Sequence, residues 1–389
     1  MSKQKIISSL ILASMLSGCA IVINDDPDND RRYRSSSSTV VQPAPSASPA
    51  STSFLSYDQE ADSYSLSAPL NTFYDYQLIK TGARLERPTP GGRPIPVRLN
   101  TMISDLANYD AIIIGEAHGH VGNHHLQLAV MQGLQEKGHK VTLSMEQFET
   151  DTQDIVDQYL AGSIGENILK KEARAWPHYS QSYRPLVEFA KYHKMPVIAA
   201  ESPTSVVRCI GIEGPSVLTK LPQDISTQTA HDLDLSDGAY KDKFIKFLKS
   251  SNHGSHGTDQ GTAPTEEELW RYAAQVNRDE TMSWKIAERL SENPDRKIVH
   301  ITGNFHSAGF LGTVERLKRR LPNAKIAVIH PVLVKDSNAP SFTKADLGAG
   351  NYLALLQPAP KMFVSMKNMM AFMKGTGQRM QNRTCDYSQ

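Results

Sequence analysis

The chain has 389 residues, enough for one large domain or two smaller ones once its ends are set aside. Its 42 basic and 41 acidic residues nearly cancel, which removes the electrostatic case for a nucleic-acid partner. Three cysteines are too few for a disulfide scaffold, whereas the 13 histidines are a mild excess, many of them near predicted strand ends.

In chain order, Lys3 and Lys5 precede an apolar run, Ile6 to Leu16, too short to span as a mature helix. Leu16-Ser17-Gly18-Cys19 resembles a bacterial lipobox. That resemblance implies removal of residues 1–18 as a signal peptide and lipidation of Cys19. Acyl chains would then hold the protein on a membrane without a spanning helix. By resemblance to lipoprotein sorting signals, Ala20 in place of Asp implies the bacterial outer membrane, and the expected location is its periplasmic face. Residues 19–55, rich in Asp, Asn, Ser, Pro and Ala, cannot bury a core and read as a tether. Residues 56–95, with scattered aromatics and Gly-Gly turns, read as an N-terminal arm. Residues 96–335 carry the regular pattern of a domain, and 336–389 a less regular C-terminal extension that packs on it.

The domain opens with a short helix, Leu99 to Leu106, and an apolar run, Ala111 to Ile114, that ends in Gly115-Glu116-Ala117-His118-Gly119-His120. Such a run reads as a buried parallel strand. A helix from about Asn123 to Lys137 stops at Gly138, and a second strand, Lys140 to Met145, ends at Glu146. Together they make a βαβ unit. Helices follow over Thr152 to Ala161 and after Pro185, then a strand, Pro196 to Ala200, ending at Glu201. From 205 to 265 the pattern weakens. A helix spans Thr265 to Ser291 with Asp279 inside its apolar stripe, where an acid needs a partner. The strand Lys297 to Thr302 ends in Gly303-Asn304-Phe305-His306; a helix over Ser307 to Leu321 and a strand over Lys325 to His330 follow. Tyr352 to Leu356 suits a strand, and Met362 to Met373 a helix whose methionines give an apolar core face rather than copper ligands. Cys209 and Cys385 could pair or stand as separate thiols; spacing leaves both open. The fold class is therefore α/β, a mostly parallel central sheet flanked by helices, with helical insertions.

Four predicted strands end in an acid or an imidazole, and right-handed crossovers bring such ends to one rim. In open α/β sheets that rim is where ligands bind. Gly115-Glu116-Ala117-His118 with His124, Met145-Glu146-Gln147-Phe148, Tyr183-Arg184-Pro185-Leu186, Asn277-Arg278-Asp279-Glu280 and Gly303-Asn304-Phe305-His306 resemble, in order, the signatures of ChaN-like haem-binding lipoproteins. These belong to a superfamily that includes erythromycin esterase and Tiki/TraB-type proteins. The chain departs at Gly119-His120-Val121, where the family carries Asp-Asn-Pro, which adds His120 as a candidate ligand.

The resemblance implies haem (iron protoporphyrin) bound for iron uptake, with a tyrosine ligand, nearby histidines, a homodimer sharing a haem pair, and an outer-membrane receptor as a further partner. Tyrosine and histidine are both competent iron ligands. The candidate haem-binding residues are Glu116, His118, His124, Glu146, Tyr179, Tyr183, Arg184, Asp279 and His306, with Trp176 as a wall. The alternative is a hydrolase in which Glu116 or Glu146 is a general base and His118 or His306 a proton donor, with or without a divalent metal on Glu116, His118 and His306. No Gly-x-Ser-x-Gly elbow supports a serine hydrolase. A third reading, a non-catalytic adaptor with a worn site, fits poorly with acids and imidazoles retained at every strand end.

Overall fold

The computed structural model describes residues 54–251, 263–372 and 384–387. The signal segment, Cys19, most of the tether and Met373 lie outside the described residues. The strands are β1 (Leu55–Asp58), β2 (Ser63–Leu66), β3 (Tyr76–Lys80), β4 (Ile95–Val97), β5 (Ala111–Glu116), β6 (Lys140–Glu149), β7 (Val197–Glu201), β8 (Arg296–Gly303), β9 (Ile326–Leu333), β10 (Ser341–Thr343) and β11 (Tyr352–Leu356).

Eight strands form the central sheet in the order β4-β3-β11-β9-β5-β8-β6-β7. From β11 to β7 every neighbouring pair is parallel; β3 and β4 run antiparallel at one edge. β5 is buried along its whole length, as an uninterrupted apolar run demands. Helices cover both faces. Leu126, Val130 and Leu134 of helix Val121–Glu136 and Leu186, Val187 and Ala190 of helix Arg184–Tyr192 pack on the face carrying Ile112 and Ile114. Met282, Ile286 and Leu290 of helix Glu266–Glu292, with Val314 and Leu317 of helix Thr313–Arg320, cover the face carrying Ile113 and Ile298. The long helix starts at a capping box: Glu268 N donates to the Thr265 hydroxyl and Thr265 N to the Glu268 carboxylate.

The flanking stretches are woven into the sheet. The arm supplies β3 and the first residue of β4, and the C-terminal extension supplies β11, which stands between β3 and β9. Three expectations change. The weakly patterned region holds helices Thr204–Glu213 and Ala239–Ser251. The helix expected from Ser307 begins only at Thr313, because Gly309 and Gly312 adopt positive φ and break the preceding turns. The Met-rich stretch is not core: Met362, Met366 and Met370 are 78%, 68% and 50% exposed. Cys209 and Cys385 form a disulfide, tying the C-terminal residues to helix Thr204–Glu213. Among the described residues no helix is long and apolar enough to cross a membrane.

Candidate functional site

The four strands whose ends carry Glu116, Glu146, Glu201 and the His306 turn are contiguous in the sheet, in the order β5-β8-β6-β7. Their carboxyl ends therefore make one continuous rim. A register shift in β6 between Met145 and Glu149 bulges Glu146-Gln147-Phe148 out of the ladder. A bulge re-aims side chains, and here neighbours serve two clusters: Gln147 turns to Glu116 and Glu146 to Arg278.

The first cluster is centred on the buried Glu116. Its Oε1 accepts from the Tyr183 hydroxyl at 2.6 Å and from Gln147 Nε2 at 3.2 Å, and lies 2.6 Å from His118 Nδ1. Its Oε2 accepts from Gln127 Nε2 at 2.9 Å and faces His124 Nδ1 at 3.6 Å. Burial opposes ionisation of Glu116, but the bond to His118 and the nearby His124 outweigh it and hold the carboxyl below its usual range. Partial burial pulls His118 down, and its bond to Glu116 overcomes this, so the imidazole sits above its ordinary value. His118 is the open member: its side chain is 46% exposed, edge-on to Trp176 at 5.0 Å. Glu116 fixes Nδ1, which leaves Nε2 directed to the rim beside Gly303; a Cβ on that glycine would stand 2.9 Å from Nε2.

A single π-helical turn, Tyr179–Tyr183, places the two candidate tyrosines. Tyr183 goes to Glu116, and burial followed by that carboxylate drives its hydroxyl well above the usual tyrosine range. Tyr179 is buried against Phe148, and its hydroxyl has no hydrogen-bond partner among the described residues. Arg184 does not join the rim cluster; it forms an ion pair with Glu166. His120 and His125 are also held apart. His120 Nε2 lies 3.0 Å from the Gln357 carbonyl with its ring on Phe73, and the exposed His125 meets Tyr74 and Tyr76.

The second cluster is fully buried. Arg278 donates to Glu146 Oε1 at 2.8 Å and to Glu201 Oε2 at 2.9 Å through Nε. Glu146 Oε2 also accepts from the Thr302 hydroxyl at 2.6 Å and Gly303 N at 2.5 Å. Burial alone would raise Glu146; His306 and Arg278 reverse that and hold it well below the usual carboxylate range. Glu201 ends the other way, raised, because desolvation exceeds the help from Arg278. His306 Nδ1 lies 2.8 Å from Asp279 Oδ1, and its Nε2 lies 3.9 Å from Glu146 Oε1. Asp279 accepts further from the Thr313 and Tyr240 hydroxyls. Gly312 passes so close to Asp279 and the His306 carbonyl that a side chain there would collide.

Of the predicted residues, Glu116, His118, His124 and Tyr183 assemble in one cluster and Glu146, Asp279 and His306 in the other. Glu116, His118 and His306 do not converge on one point as a metal set. No group of three or more His, Cys, Asp or Glu among the described residues does so. Arg278, Gln127, Gln147 and Tyr240 were not predicted. Arg278 carried the same signal as Asp279, a charge in a buried helical stretch, and Gln127 lies one turn beyond His124. Tyr240 sits in the weakly patterned region and gave none.

The sequence profile of the family described as "Haem-binding uptake, Tiki superfamily, ChaN" matches residues 102–317. The fold is similar to that of the structure describing cofacial haem binding to ChaN of Campylobacter jejuni, with 16% identity, 74% of this chain and 100% of that chain covered, and a TM-score of 0.53. An erythromycin esterase mutant in its open conformation gives 10% identity over 75% of this chain and 99% of its own, with a TM-score of 0.43. The Arabidopsis thaliana protein RETICULATA-RELATED 5, chloroplastic, is 24% identical over 213 residues, 52% of this chain. The match spans only 28% of that relative's length. With more than half of its length matched, and with the rim assembled from the motif residues, this chain belongs to the ChaN haem-binding uptake family of the Tiki superfamily.

Proposed function

We propose that this protein binds haem at the open rim beside His118, as an outer-membrane lipoprotein facing the periplasm and serving iron uptake. The observation that carries the proposal is the state of His118. A carboxylate holds Nδ1 of a half-exposed ring, and Nε2, seated close to Gly303, accepts or donates no hydrogen bond among the described residues. A carboxylate behind an imidazole is the usual support of an iron- or zinc-ligating histidine. The donor set therefore fits haem, whose iron would supply the ligand-binding chemistry. Trp176 offers an apolar wall. Tyr183 acts behind Glu116, and Tyr179, buried with a raised pKa, is a poor source of phenolate.

A cavity of about 170 Å³ against Thr150, Gln153, Lys285 and Arg289 is lined by none of the residues of the two clusters and is too small for a porphyrin. An open rim rather than a closed slot supports a second copy covering the haem. The lipobox ending at Cys19 supports the anchor, and the Cys209–Cys385 disulfide supports an oxidising compartment. An outer-membrane receptor that exchanges haem with the protein completes the proposal.

Haemin titration followed in the visible spectrum tests this reading. Wild type and Tyr179→Phe should give a saturable shift, and His118→Ala should lose it; no saturable shift in wild type sinks the reading. The pairing of His306 with Asp279 favours a second reading, hydrolysis, since an acid behind a histidine is a general-base arrangement. In that case Asp279→Asn abolishes ester turnover while the haemin titration stays as in wild type.

A further inference from the structure

β11 runs parallel to β9 and β5, so the chain leaves it at the same edge of the sheet as Glu116 and His118. Gln357 is still fastened there, its carbonyl facing His120 and its side chain donating to the Leu70 carbonyl. Beyond it the chain emerges with an unusual surface. Val364 is 87% and Phe372 52% exposed, alongside the exposed methionines 362, 366 and 370. Phe363 and Phe372 pack on each other, ring centres 5.4 Å apart. Residues 366–372 are helical, opened by Ser365, whose hydroxyl accepts from Asn368 N. Met366, Met369 and Met370 follow helical i, i+3, i+4 spacing and share a stripe.

The charge pattern identifies what such a surface meets. No Asp or Glu occurs between Asp346 and Asp386, while Lys361 and Lys367 flank the apolar residues. A protein partner's core would match the apolar stripe alone. Anionic lipid matches both features: acyl chains take methionine and phenylalanine, and headgroups attract the lysines. We propose that residues 361–372 form an interfacial anchor that lies in the surface of an anionic membrane. This contact is made by the protein itself and is additional to any lipid on Cys19. Because the segment departs from the carboxyl edge of the sheet, membrane binding through it sets the haem-binding rim on the lipid-facing side.

Hydrogen exchange read by mass spectrometry on the full chain tests this, with phosphatidylcholine vesicles carrying or lacking phosphatidylglycerol. The expected result is protection of amides 366–372 that appears only with phosphatidylglycerol. A Lys361→Glu/Lys367→Glu variant should require at least about thirtyfold more lipid for the same protection. Met366→Glu/Met370→Glu should lose it, with an unchanged thermal melt. Exchange in 361–372 that ignores vesicles overturns the proposal. So does protection that rises with protein concentration in their absence, which assigns the surface to a second copy. Haemin titration in vesicle-free buffer is unaffected by these variants, so failure of this contact and failure of haem binding are separately visible.

Discussion

At the scale of single residues, the rim depends on what Gly303 lacks. Its missing side chain lets His118 Nε2 stand at the end of β8, with Glu146 Oε2 also close to that position. The backbone of Gly303 has an ordinary negative φ, so alanine is sterically foreign there only because of its methyl group. Gly303→Ala should weaken haem affinity about tenfold, the scale of a disturbed ligand support, with little change in melting temperature. Haemin titration beside a thermal melt checks this, and full affinity in the alanine variant detaches His118 from the haem site. Glu116 and His118 were legible in the sequence because a hydrophobic strand ending in Gly and then charge is a local pattern. The exact partner of each was not, because hydrogen bonds across the rim join residues far apart in the chain, such as Tyr183 with Glu116.

At the scale of elements, β8 carries a histidine inside the core. His300 is fully buried, with Nδ1 2.9 Å from the Ser144 hydroxyl of β6. Desolvation pushes it down to about 4. In the unfolded chain a histidine titrates near 6.5. Between these values the unfolded chain binds a proton that the folded chain refuses, so stability falls as pH falls through that window and levels off below it. His330 in β9, also pushed down to about 4 by burial, adds in the same direction. The loss attributable to His300 is up to roughly 3 kcal/mol. Urea midpoints at about pH 7 and about pH 4.5 should separate less for His300→Gln than for wild type; equal separations would show that His300 is not the sensor. The parallel strands themselves were read to within a few residues, since burial on both faces writes a continuous apolar run. Helix Ala239–Ser251 was missed. It is held by Phe244 and Tyr240 against the long helix, and by Lys243 donating to the Phe305 and Ala308 carbonyls. Such an element is defined by its neighbours more than by its own period.

At the scale of the whole molecule, the Cys209–Cys385 bond closes a loop of 176 residues in sequence that contains Arg278, Asp279 and His306. Cys209→Ser/Cys385→Ser should cost about 2–5 kcal/mol of stability, read as a lower denaturant midpoint equal to that of reduced wild type. A variant as stable as the oxidised protein would leave the bond without structural weight. Sequence spacing could not decide this pairing, because a disulfide needs two Cα atoms brought close by everything between them. The place of β11 was hidden for a similar reason: a five-residue apolar strand looks the same in a surface extension as in a sheet. Its position has a consequence for synthesis. β3 has only the short β4 as a neighbour until β11 arrives, and Lys80 pairs with Tyr352. The amino-terminal strands thus wait for nearly the entire chain to leave the ribosome, with the unpaired edge of β9 open meanwhile. Closure is a late, long-range event of the slow kind, and a nascent chain stalled before Tyr352 holds a finished rim on an unfinished sheet.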